Sequence, residues 1–106
     1  LREVAVRCCQ RANPDIQTFC GRVASGDQFI NSREKKNWIR DTFDAYCTEM
    51  EGAAIAQAAY LNQIPYLIVR AISDKADDSA NVDYSEFEAK AVEHSVRLMA
   101  AMLEEL

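Results

Sequence analysis

An α/β fold built on a mostly parallel sheet is predicted by two features of the sequence. Segments with helical periodicity alternate with short β-prone segments, in the order helix, strand, helix, strand, helix, strand, helix. The last β-prone segment, Pro65-Tyr66-Leu67-Ile68-Val69-Arg70-Ala71-Ile72, is apolar almost without interruption. Continuous rather than alternating hydrophobicity marks a parallel strand covered on both faces. A chain of 106 residues, 49% apolar and 27% charged, has the size and composition of one folded domain.

Leu1, Val4, Ala5, Cys8 and Ala12 recur at helical spacing, and Asn13-Pro14 stops the run. This first helix begins without a capping residue, which leads us to expect a piece of something longer. Residues 16–24 are β-prone and end in the turn signal Ser25-Gly26-Asp27. Residues 31–44 form a charged helix with Trp38, Ile39 and Phe43 as an apolar packing stripe, capped by Asn31 or Ser32. A short strand fits Ala45-Tyr46-Cys47-Thr48, and the Ala-rich run from Ala53 to Leu61 reads as a helix packed in the interior. The strand at 65–72 follows. A terminal helix over 86–106 carries Phe87, Ala91, Val92, Val96, Met99, Leu103 and Leu106, with Ser85/Glu88 or Asp83/Glu86 as its capping box. Three strands make a sheet narrower than usual, so it reads as unfinished, with edges open to aggregation or pairing.

Several functions are excluded early. No apolar run approaches the roughly 20 residues that cross a bilayer, and the charged opening does not read as a secretory signal, so none is expected. Twelve basic against seventeen acidic residues, a net charge of −5, disfavours a nucleic-acid partner. Cys8, Cys9, Cys20 and Cys47 show no Cys-x-x-Cys spacing, so a reduced, cytoplasmic protein is expected, its cysteines acting as small buried apolar groups. A single histidine, His94, leaves no histidine metal cluster and no Ser-His-Asp relay; a surface or satisfied role is expected. Asp77, Ser79, Asn81, Asp83, Ser85 and Glu88 fall at calcium-loop positions, but Val82 stands where the sharp turn needs Gly. A polar loop with helix caps is the simpler reading. The basic residues Arg33, Lys35, Lys36 and Arg40, offset by Glu34 and Asp41, read as a solvated helix face.

Ligands of open α/β sheets bind beyond the carboxyl ends of the strands. Each of the three predicted ends delivers a carboxylate to that rim: Asp27, then Glu49 and Glu51, then Asp74. Helix capping accounts for any one of them singly. Two carboxylates flanking Met50 exceed what a cap needs, and Asp74 follows a strand expected to be buried, where desolvation raises its pKa.

Three ordered motifs carry a resemblance. Ala24-Ser25-Gly26-Asp27-Gln28-Phe29-Ile30, then Glu49-Met50-Glu51-Gly52-Ala53-Ala54-Ile55-Ala56, then Val69-Arg70-Ala71-Ile72-Ser73-Asp74-Lys75-Ala76-Asp77 together resemble the 5′-methylthioadenosine/S-adenosylhomocysteine nucleosidases of the nucleoside phosphorylase superfamily. The similarity runs from about Cys20 to the C-terminus and corresponds to the C-terminal half of a family member. It implies a three-layer α/β/α fold and hydrolysis of the N-glycosidic bond of an adenine thioribonucleoside, releasing adenine and the thioribose. Asp74 matches the general acid that protonates adenine N7, and Glu51 the ligand of the ribose hydroxyls. Met50 matches a soft surface against the sugar, Phe29 the residue stacked on adenine, and Ile30 a backbone partner of its edge. Ser73 would orient Asp74, Arg70 would balance the carboxylates around the water, and Glu49 would join the substrate site. No metal and no organic cofactor are implied. The glutamate that activates water in the family has no counterpart here. It would come from an N-terminal half, on another polypeptide or on chain outside these 106 residues, within a homodimer of the full domain. A phosphorylase and a noncatalytic nucleoside-binding module are the alternatives.

Overall fold

The computed structural model describes residues 1–73 and 85–106, and the chain forms two units, Leu1–Cys20 with Asp83–Leu106, and Gly21–Val82.

In the first unit, helix α1 (Arg2–Ala12) packs against the long terminal helix, here α4 (Ser85–Glu105). Ala5 and Cys8 of α1 meet a core that α4 supplies with Leu98 and Met102. Asn13 closes α1: its N–H donates to Cys9 O at 2.8 Å, and its buried side chain donates to His94 O at 2.9 Å. Pro14 has no N–H with which to continue the ladder. His94 pairs with Asp15 at 2.9 Å, so it is a satisfied histidine as expected. The Cys8 thiol donates to Glu105 Oε2 at 2.7 Å, and that bond, with burial and the nearby charge, holds its pKa up. Cys8 is thus a buried protonated thiol.

The terminal helix corrects the expected stripe. Val92, Val96, Met99 and Leu103 are exposed, while the packed line runs through Ala91, His94, Leu98 and Met102. A helix with two apolar stripes can bury only one of them against a single eleven-residue neighbour. Of the two capping-box alternatives, Asp83 lies outside the described residues, and α4 begins at Ser85 itself.

In the second unit, β1 (Arg22–Ser25), α2 (Arg33–Phe43) and β2 (Ala45–Glu49) make a β-α-β unit with the strands parallel. Val23 pairs with Cys47, Ala24 with Thr48 and Ser25 with Glu49, after an irregularity at Arg22/Val23. Ser32 caps α2 by accepting from Lys35 N, one of the two caps the sequence allowed. Asp44 ends the helix in the left-handed region at φ 52°. Trp38 and Phe43 meet edge to face with centroids 5.7 Å apart, yet both are exposed, so they pack on each other and not into a core.

Helix α3 (Gly52–Leu61) packs on β1, but only Gly52 is buried, which corrects the expected interior helix. Strands of four and five residues form a surface too narrow to cover a ten-residue helix. A second correction concerns residues 65–72. No strand forms there, and Val69 and Ile72 are 50% and 59% exposed. The β-branched composition suits a covered, pleated surface, but a central strand also needs neighbours on both edges, and the described residues hold one two-stranded sheet.

Gly21 leads into β1 with its backbone against the Tyr46 ring of β2. A Cβ built there would lie 2.3 Å from the ring's Cγ. Gly21→Ala should cost about 1–3 kcal/mol through overpacking, read as a lower denaturant midpoint at unchanged slope. An unchanged midpoint would show that the ring moves aside freely.

Candidate functional site

Because β1 and β2 are parallel and in register, they stop at the same edge, Ser25 beside Glu49, and Gly26 N extends the ladder to Glu49 O at 3.1 Å. Two connections leave that edge: the loop 26–32 toward α2, and the tight turn Glu49-Met50-Glu51 into α3.

A helix start leaves several N–H groups without intrahelical partners and carries partial positive charge. Glu49 answers both needs. Its Oε2 accepts from Gly52 N at 2.7 Å and from Glu51 N at 3.0 Å, with the side chain only 3% exposed. The other oxygen, Oε1, is buried with no hydrogen-bond partner among the described residues. Ser25 Oγ accepts from the next amide, Ala53 N, at 3.0 Å. Glu51 turns back to accept from Met50 N at 3.1 Å and leaves its side chain 62% exposed. Arg70 lies between the two carboxylates, 3.9 Å from Glu49 Oε2 and 3.7 Å from Glu51 Oε2.

Burial alone would raise the Glu49 pKa. The Ser25 hydroxyl, the Glu51 and Gly52 amides and the Arg70 charge outweigh it and hold the carboxyl below its ordinary value. The linkage sign follows. A depressed folded-state pKa adds stability that is complete above the ordinary glutamate pKa of about 4.3 and is lost as pH falls through the folded value. Glu49→Gln should therefore flatten the acid side of the stability profile, measured by urea unfolding between about pH 6 and pH 3. An acid side as steep as the parent's would assign the loss to other carboxylates. Burial also pushes the neighbouring Cys47 thiol up, with the Glu49 charge adding to it and Arg70 opposing, so that sulfur is no thiolate nucleophile.

The structure thus gathers Glu49, Glu51 and Arg70, three of the residues singled out in the sequence. Met50 is exposed at the centre of the turn. Phe29 and Ile30 ride on the loop after β1, which Gln28 tethers to α2 by accepting from Lys35 Nζ at 2.8 Å. Phe29 is exposed, and none of the cluster's hydrogen bonds or ion pairs reaches it or Ile30. Ser73 is exposed at the end of the described segment, and Asp74 lies outside the described residues. The burial expected before Asp74 is absent, as Val69 and Ile72 show. An open cavity of about 370 Å³ is lined by Ser25, Glu49, Gly52, Ala53, Ala56 and the stretch Tyr66–Ile68. Among the described residues expected at the site, only Glu49 lines it. Ser25 is the residue that sequence reasoning missed. It reads as an ordinary turn former, and only its pairing with Glu49 reveals more.

Parallel strands that end together in a carboxylate-rich turn, with a second loop leaving the same edge, define an α/β protein with a ligand edge at its strand ends. The chain belongs to the phosphorylase superfamily, whose family model matches residues 1–105. The match takes in the first helix as well as the motif-bearing stretch from Cys20 onward. A 5′-methylthioadenosine/S-adenosylhomocysteine nucleosidase of Bacillus cereus strain B4264 is 39% identical over 99 residues, covering 92% of this chain and 43% of that protein. Among solved structures, the native futalosine hydrolase of Helicobacter pylori strain 26695 superposes with a TM-score of 0.86 at 33% identity, over 99% of this chain and 44% of the other. A 5′-methylthioadenosine/S-adenosylhomocysteine nucleosidase from Neisseria meningitidis, in complex with methylthio-immucillin-A, gives 0.77 at 33% identity over 97% and 46%. The fold is therefore nucleoside phosphorylase-like, and the chain spans under half the length of these relatives.

Proposed function

We propose that this chain is the C-terminal half of an N-glycosidic hydrolase acting on 5′-methylthioadenosine or S-adenosylhomocysteine. One observation carries the reading: the Glu51 carboxylate stands open at the strand ends while Glu49 and Arg70 fix the turn beneath it. A carboxylate acceptor held in this way suits a vicinal pair of ribose hydroxyls. Its grip strengthens as the ring gains oxocarbenium character, so the binding also serves catalysis. Met50 offers the sugar a polarizable surface, and Phe29, on its tethered loop, offers a ring to stack on adenine.

Adenine leaves poorly as an anion, so its N7 must gain a proton as the bond lengthens, and Asp74 is the proposed donor, oriented by Ser73. Half protonation at pH 7 needs a rise of about 3 units above the ordinary 3.9, or roughly 4 kcal/mol. Since the segment before Asp74 is open in this chain, that desolvation has to come from the bound purine and from polypeptide that closes the pocket. The same polypeptide supplies the water-activating glutamate. Hydrolysis of this kind needs neither metal nor organic cofactor. Exposed Val92, Val96, Met99 and Leu103 support further protein contacts, consistent with a completing half and a homodimer. Four free cysteines fit a reducing cytoplasm.

The futalosine hydrolase likeness favours a second reading within the class, cleavage of a nucleoside with another 5′ substituent. Incubating the complete protein, together with any polypeptide that copurifies, with methylthioadenosine, S-adenosylhomocysteine and futalosine decides both questions. Free nucleobase formed without phosphate is expected. Strict phosphate dependence, with a sugar 1-phosphate as product, would overturn hydrolysis in favour of phosphorolysis; tight nucleoside binding without turnover would favour a binding module.

A further inference from the structure

We infer that Ser25 is a positioning residue for the turn that presents Glu51, an inference that rests on the hydrolase reading above. Three successive amides at the start of α3 are held by side chains from the ends of two strands: Glu51 and Gly52 by Glu49, and Ala53 by Ser25. The Glu49 bonds are local, spanning two and three residues within β2 and its own turn, so they shape the turn without joining it to β1. The Ser25 bond reaches 28 residues along the chain and comes from the neighbouring strand. Among the hydrogen bonds to these first amides, it is the one that ties the start of α3 to β1, and it sits directly opposite Glu49 in the ladder.

The hydroxyl suits this place because it accepts and donates at once. With Ala53 N–H on its lone pair, its proton is available to the Glu49 carboxylate, and the hydroxyl is among the groups that keep that carboxylate ionised. Arg70 meets both glutamates, so any rotation of the turn changes how Arg70 is shared and where the Glu51 oxygens stand. Ser25 need touch no substrate to matter for the ribose.

The test uses Ser25→Ala and Ser25→Thr in the complete protein, assayed with methylthioadenosine across pH. Ser25→Ala should lower kcat roughly three- to tenfold, the effect of one neutral hydrogen bond, with a smaller change in KM. Its acid limb in kcat/KM should move to higher pH, and Ser25→Thr, which keeps the hydroxyl, should restore both. Parent-like kinetics and acid limb in Ser25→Ala, with only a lower Tm, would overturn the inference, as would a Thr variant no better than Ala. If the parent cleaves none of the nucleosides, the hydrolase reading fails separately, and amide hydrogen exchange decides the tether. Faster exchange at Ala53 in Ser25→Ala, reversed in Ser25→Thr, upholds it, and unchanged exchange overturns it.

Discussion

Under the proposed hydrolase reading, Asp74→Asn is expected to lower kcat for methylthioadenosine by about 10²–10⁴-fold, the usual range for removing a general acid, while nucleoside affinity should stay within a few fold. The asparagine keeps the shape and one hydrogen-bond acceptor of aspartate but has no acidic proton to hand to N7. The loss corresponds to about 3–5 kcal/mol of transition-state stabilisation, and it belongs in kcat because the proton moves only as the glycosidic bond lengthens. Steady-state kinetics of the complete protein, paired with equilibrium binding of a non-cleavable nucleoside, separate the two quantities. Turnover within a few fold of the parent would remove Asp74 from the chemistry. A matching loss of affinity would make it a binding residue instead. A substrate whose leaving base needs no protonation should be cleaved by Asp74→Asn with a much smaller deficit, which isolates the acid role from general damage to the protein.

The β-α-β core was legible because its signals are local. Helix α2 declared itself by its charged run with an apolar stripe and by two candidate caps, Asn31 and Ser32, of which the structure uses Ser32, and β2 by its short β-prone run. The carboxylate turn was legible too, since two acids around Met50 exceed the needs of a cap. Which acid does the capping was not: the macrodipole favoured Glu51 from its place at the helix start, whereas Glu49 folds back over the turn and frees Glu51. Residues 65–72 failed for a different reason. Their apolar run is written for a covered strand, and sequence reports the burial a segment is suited to, not whether the covering layers lie within the same chain. The same holds for α3 and the second stripe of α4. Ser25 escaped notice because its role lives in register, a relation between strands that no single segment encodes.

Glu51→Gln is expected to lower kcat/KM about a hundredfold, acting on both KM and kcat. Two ribose hydroxyls donating to an ionised carboxylate make charge-assisted bonds, each typically contributing about 1.5–3 kcal/mol. Glutamine keeps one acceptor oxygen, and its NH₂ faces a hydroxyl as a donor, so the loss falls short of both bonds. The effect reaches kcat because the carboxylate also stabilises the positive charge that builds on the sugar, which a neutral amide does far less. A comparison with the 2′-deoxy substrate tests the placement directly. In the parent, removing the 2′-hydroxyl should itself cost activity, whereas in Glu51→Gln the same removal should cost much less, because the two changes delete one shared interaction. Equal sensitivity to the 2′-hydroxyl in both proteins would move the ribose away from Glu51. Arg70 sharpens the expectation: 3.7 Å from the Glu51 carboxylate, it loses one of its two anionic neighbours in the variant and turns more fully to Glu49. The acid-side stability that Glu49 contributes should then survive Glu51→Gln intact, so a variant that recognises ribose poorly while unfolding in acid like its parent assigns the two glutamates separate tasks.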